Sequence, residues 1–207
     1  MGSLLIILAV GLLIAAVVVL VVALRKPRRQ PDWPAMRQDP LRFASQTSTF
    51  GPRQLGPGAI VGYGGVDHVV RGSVALRQGP FVWWEHLLQG NPGSRPTWLS
   101  VEEDEGQLQL VLWERRSDLQ LQPGGELTVY GELFRETERG SASYTTEGTT
   151  GLPAGGDMDY IDYANAGETL FLGFERWAPT MPWEVSFGRQ LTPGELTVYP
   201  APPPTIA

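Results

Sequence analysis

The chain has 207 residues, a formal net charge of −6, two histidines and no cysteine. Without thiols there is no disulfide framework, no thiol nucleophile and no thiolate metal site. Past residue 30, 12 arginines stand against 22 acidic residues, leaving −10. That balance repels nucleic acid and anionic lipid, so neither is an expected ligand of the main body.

In chain order the first feature is an unbroken apolar run, Leu4 to Leu24, followed at once by Arg25, Lys26, Arg28 and Arg29. As a helix it would span about 31 Å, the thickness of a bilayer's hydrocarbon core. A cleavable signal peptide wants a shorter run with its basic residues in front. Lys and Arg at a span's end stay on the cytoplasmic side. The expectation is an N-terminal transmembrane helix over 1–24, with the N-terminus outside and the C-terminal domain cytoplasmic. The basic cluster would meet the inner headgroups of the lipid bilayer, at about 1 kcal/mol per residue.

Residues 25–56 carry Pro27, Pro31, Pro34, Pro40 and Pro52 with little periodicity. Proline removes backbone donors and disfavours helix before it, so an extended, mostly disordered linker is expected. From Pro57 short β-type runs alternate with glycine turns, as in Ala59 to Tyr63, then Gly64-Gly65, then Val66 to Val70. The early alternation in Leu108 to Trp113 predicts a strand with one wet face.

An internal repeat organises these runs. Pro57-Gly58 to Tyr63 is echoed by Pro123-Gly124 to Tyr130 and by Pro193-Gly194 to Tyr199, and Arg71-Gly72-Ser73 recurs as Arg139-Gly140-Ser141. The fold expectation is all-β: two tandem small barrel-like or meander-like repeats, about 57–122 and 123–200, packed together and preceded by the membrane helix. Residues 201–207 are read as a disordered tail.

The succession Gly-x-x-Val-x-Tyr-Gly-Gly over 58–65, Val69-Val70-Arg71-Gly72, Trp84-Glu85-His86-Leu87-Leu88 and Trp98-Leu99-Ser100-Val101-Glu102 resembles the domain of unknown function 4178 family. Tyr160-Ile161-Asp162-Tyr163, Phe174-Glu175-Arg176-Trp177 and Trp183 to Gly188 extend the resemblance over about residues 55–200. The family has no established activity. Its bacterial members look to be encoded beside membrane-stress and polyamine-synthesis proteins, which implies a role at the inner face of the membrane.

Few residues carry recognisable chemistry. Neighbours in a strand point to opposite faces, so Asp67-His68 and Glu85-His86 do not converge as metal-binding pairs. On a calcium loop starting at Asp157, Ile161 fills a ligand position and Asp162 replaces the turn glycine. No catalytic, cofactor-binding or metal residue is assigned, and no cofactor is expected. Trp83 and Trp84, if in one strand, face opposite sides. The candidate binding surface comprises Trp84, Glu85, Trp98, Glu102, Tyr163, Glu175 and Trp177. Two functions stand against each other: a non-enzymatic scaffold with a protein partner, and an enzyme or sensor for a small cationic ligand using clustered carboxylates. Scattered, solvated acids favour the first; acids converging in a cleft with raised pKa favour the second.

Overall fold

The computed structural model describes residues 51–90, 95–104 and 106–201. These form β1 (Ile60–Tyr63), β2 (Val66–Gln78), β3 (Phe81–Gln89), β4 (Thr97–Asp104) and β5 (Gln107–Arg115). There follow β6 (Leu127–Val129), β7 (Glu132–Gly148), β8 (Gly155–Asn165), β9 (Leu170–Arg176), β10 (Glu184–Leu191) and β11 (Thr197–Tyr199). The sheet order is β11-β1-β2-β3-β4-β5-β10-β9-β8-β7-β6, and β2 also pairs with β7. That last pairing closes β2–β5 and β7–β10 into one eight-stranded antiparallel barrel.

Two separate small barrels, as the repeat suggested, do not form. Each half contributes a four-stranded meander whose outer strands are open edges, and an open edge leaves a row of unpaired N–H and C=O groups. The meanders satisfy one another at two seams. One is β2 against β7, Gly72 opposite Gly148 through Arg77 opposite Ser143. The other is β5 against β10, Arg115 opposite Ser186 through Leu110 opposite Leu191. The expected span Leu4–Leu24 lies outside the described residues; among those described, no helix is long and apolar enough to cross a membrane. The described end of the expected linker is ordered: Pro52–Gln54 make a 3₁₀ turn and Leu55 packs on a core.

The remaining strands are flaps. β2 and β7 are longer than the seam, so their N-terminal ends pair with β1 and β6 instead. A bulge interrupts each long strand, between Val70 and Gly72 in β2 and between Glu136 and Glu138 in β7, where one extra residue bends the chain. Beneath the first flap, Val61 and Val70 meet Leu99, Val101 and Leu110 from the outer face of the barrel. Beneath the second, Val129 and Phe134 meet Tyr163, Leu172, Phe174 and Val185. Both of these apolar cores therefore lie outside the barrel wall. Gly72 sits where the wall meets a loop: a Cβ there would lie 2.6 Å from the Thr149 backbone.

Candidate functional site

Because side chains alternate along a strand, placing the apolar residues under the flaps turns the polar ones inward. Trp83 and Glu85 on β3, Trp98, Ser100 and Glu102 on β4, and Val111, Trp113 and Arg115 on β5 line a cavity of 640 Å³ inside the barrel. Tyr160 and Asp162 on β8, with Phe171, Gly173 and Glu175 on β9, complete its opposite wall. The wet face read in Leu108 to Trp113 is thus the inside of the barrel. One sector is filled: Val74, Leu76, Tyr144, Met158 and Trp177 pack together, with Tyr144 and Trp177 edge to face at 5.0 Å. Eight strands leave room for side chains or for one small ligand, and this volume falls in the usual range for small-molecule sites.

Seven acidic side chains border the cavity (Glu85, Glu102, Asp104, Glu138, Asp162, Glu175 and Glu184) against one basic side chain, Arg115. Arg115 is paired with Glu184. Burial pushes Glu85 well above the ordinary carboxyl range, helped by the neighbouring charge of Glu175, by a hydrogen bond to that residue and by Asp162. Glu175 is raised as well, by burial, and held back by its bond to Glu85 and by Arg115. A carboxylate only accepts hydrogen bonds, so the Glu85–Glu175 bond requires a shared proton. Asp162 is pushed up to about 8 by burial, then by Glu175, Glu138 and Glu102. Glu102 rises through burial and the charges of Glu138 and Asp104. Glu85, Asp162 and Glu175 are each partly accessible, but only from within the cavity, where surrounding protein replaces most of the water that would solvate a charge. Burial also raises Tyr160, whose hydroxyl donates to Glu138 Oε1 at 2.6 Å and touches the Gln78 side chain.

The aromatic side chains are fixed by their surroundings. Trp113 Nε1 donates to Ser100 Oγ at 3.0 Å. Its six-membered ring lies against Gly188 and Gly173, where an added Cβ would stand 2.6 and 3.2 Å from ring carbons. The two glycines form a flat bed for an indole that also lines the cavity. Trp83 meets Tyr160 edge to face at 5.7 Å.

Of the residues singled out in the sequence, Glu85, Trp98, Glu102, Glu175 and Trp177 come together around this cavity. Trp84 and Tyr163 do not. Trp84 points outward and is 40% exposed, whereas Tyr163 is fully buried under the second flap, its hydroxyl accepting the Gly124 N–H. Trp83, Trp113 and Tyr160 lie outside the expected binding surface yet line the cavity; mid-strand glycines such as Gly173 and Gly188 signal such close approach by another group. The histidines are elsewhere: His86 is buried beside Ser73 Oγ at 2.8 Å, its pKa lowered to about 4 by burial, and His68 Nδ1 lies 3.3 Å from the Val61 carbonyl. Asp159 is occupied by Arg176 and Ser141. Among the described residues, no three acidic or imidazole groups converge closely enough to hold a metal ion.

Comparison with known proteins covers nearly the whole chain. An uncharacterized protein of Mycobacterium bovis and two of Mycobacterium tuberculosis, from strains CDC 1551 and H37Rv, are each 62% identical to it over 207 residues. The match spans 98% of this chain and 98% of each relative. No solved structure matches. The profile of a family described as a domain of unknown function, DUF4178, matches residues 56–193, and the chain belongs to that family.

Proposed function

We propose that the barrel is a binding module for a small organic cation. The observation that carries this reading is the imbalance inside it: seven carboxyl side chains against one arginine, itself paired, in a cavity walled by tryptophans. An ammonium group is attracted both to carboxylates and to the faces of aromatic rings, and more strongly where water is excluded. Trp113, held flat on its glycine bed, needs no reordering to present a ring face, which lowers the entropic cost of binding. An anion would meet carboxyl groups on β3, β4, β7, β8, β9 and β10 and a cation only at Arg115, which Glu184 already engages. A bare metal ion would find no converging ligand set among the described residues.

The test is calorimetric titration of the full-length protein with butylammonium, tetramethylammonium, butyrate and a neutral alcohol of the same size. The two cations should bind and the other two should not, and Trp113→Leu should weaken cation binding at least tenfold. Preferential binding of the anion or the alcohol would overturn the reading.

A further inference from the structure

Resting on that reading, we propose that a cation entering the barrel takes the place of a proton held between Glu85 and Glu175, so that binding and proton release are one event. Glu85 on β3 and Glu175 on β9 line one cavity from opposite sides of the eight-stranded ring and come within hydrogen-bonding reach of each other. Two carboxylates bond in this way only with a proton between them. In the empty cavity that proton relieves the repulsion between two charges removed from water. A bound ammonium relieves the same repulsion, and with both present the proton becomes redundant. The balance is simple: the O–H bond of Glu85 breaks, its electron pair stays on the carboxylate, the proton leaves to solvent, and one positive charge replaces another.

The surroundings set the sign. From β8 the pair faces Asp162 and Tyr160, from β7 Glu138, from β4 Glu102, and from β5 and β10 the Arg115–Glu184 ion pair. The interior face of β2 offers Val74, Leu76 and Gln78, none of them charged. Apart from Arg115, which favours ionised Glu175, the neighbours are acids or groups bonded to acids. They hold the proton on the pair when the cavity is empty and add to the attraction for a cation when it is filled. Raised carboxyl pKa values fall when a cation binds, so binding strengthens as pH rises through the neutral range. The limit is tenfold per pH unit for each proton released.

The experiment measures butylammonium binding to the full-length protein by calorimetry at neutral pH, in phosphate and in MOPS, which differ in ionisation enthalpy and neither of which carries a net positive charge. Butylammonium keeps its charge, since an alkylamine titrates near lysine's value of about 10.4. The observed enthalpy should differ between the buffers by an amount equivalent to nearly one proton released, and affinity should rise several-fold per pH unit. Glu85→Gln, which keeps the shape and the hydrogen bond to Glu175 but has no proton to lose, should bind with a smaller buffer difference and a flatter pH profile. Equal enthalpies in the two buffers with clear binding would overturn the exchange and leave the cation reading standing. No binding by either alkylammonium would overturn both. The wild-type comparison decides the matter even where Glu85→Gln fails to fold.

Discussion

Along much of the barrel, on β3–β5 and β8–β10, the inner and outer faces of one strand have opposite chemistry. Along β9, Leu172 and Phe174 point out into the core beneath a flap, while Gly173 and Glu175 point into the cavity. Along β4, Leu99 and Val101 point out while Ser100 and Glu102 point in. Apolar burial, the main favourable term in folding, is thus placed largely behind the barrel wall. Inside, Val74, Leu76 and Tyr144 fill the sector at β2 and β7, and the rest is left to groups that are costly to bury, so β4 and β9 carry stability on one face and recognition on the other.

Substitutions on the two faces should therefore have separable effects. The largest is expected outside: Phe174→Ala removes a fully buried ring and should cost about 3–5 kcal/mol. Chemical denaturation would measure this, while cation affinity at temperatures where the variant is folded stays near that of the wild type. A smaller effect is expected at the glycine bed. Gly188→Ala puts a Cβ 2.6 Å from the Trp113 ring, so the indole must shift, at about 1–3 kcal/mol. Its fluorescence should change and cation binding should weaken. A variant that matched the wild type in both would break the link between the bed and the site.

The third effect is gradual and depends on pH. Asp162 titrates at 3.8 when ordinary and at about 8 in the fold. Between those values the native state keeps a proton that the unfolded chain gives up. The stability from Asp162 is complete below the lower value and is lost as pH rises through the higher one. The slope is at most about 1.4 kcal/mol per pH unit for one proton. Asp162→Asn cannot ionise, so its stability relative to wild type should climb from about pH 4 to about pH 8. A constant difference across that range would show that Asp162 ionises normally.

Much of the strand layout is written locally. Gly64-Gly65 turns β1 into β2 with both glycines at positive φ, and the alternation in β5 gives its two faces. Alternation separates two faces without saying which is inside, so a polar residue such as Gln109 reads as solvent-facing. Glu85, Trp98, Glu102, Glu175 and Trp177 stood out through the motifs around them, but their convergence depends on the seams. Those seams join residues such as Leu76 and Tyr144, or Trp113 and Gly188, which lie far apart in sequence and carry no local sign of pairing. Trp84 and Trp83 show the limit plainly: an adjacent pair guarantees one residue on each side, and the structure sends Trp83 to the cavity.

The pairing of β1 with β11, Ile60 opposite Tyr199, brings the beginning and the end of the described sheet side by side. The path of the described chain is consequently close to a closed loop. The connection between β5 and β6, residues 116–126, carries no strand and joins the two meanders only once. A permuted protein that starts at β6, runs through β11, crosses a short linker to β1 and ends at β5 would contain every ladder found here. Chain order within each meander, and not which meander comes first, is what this architecture requires.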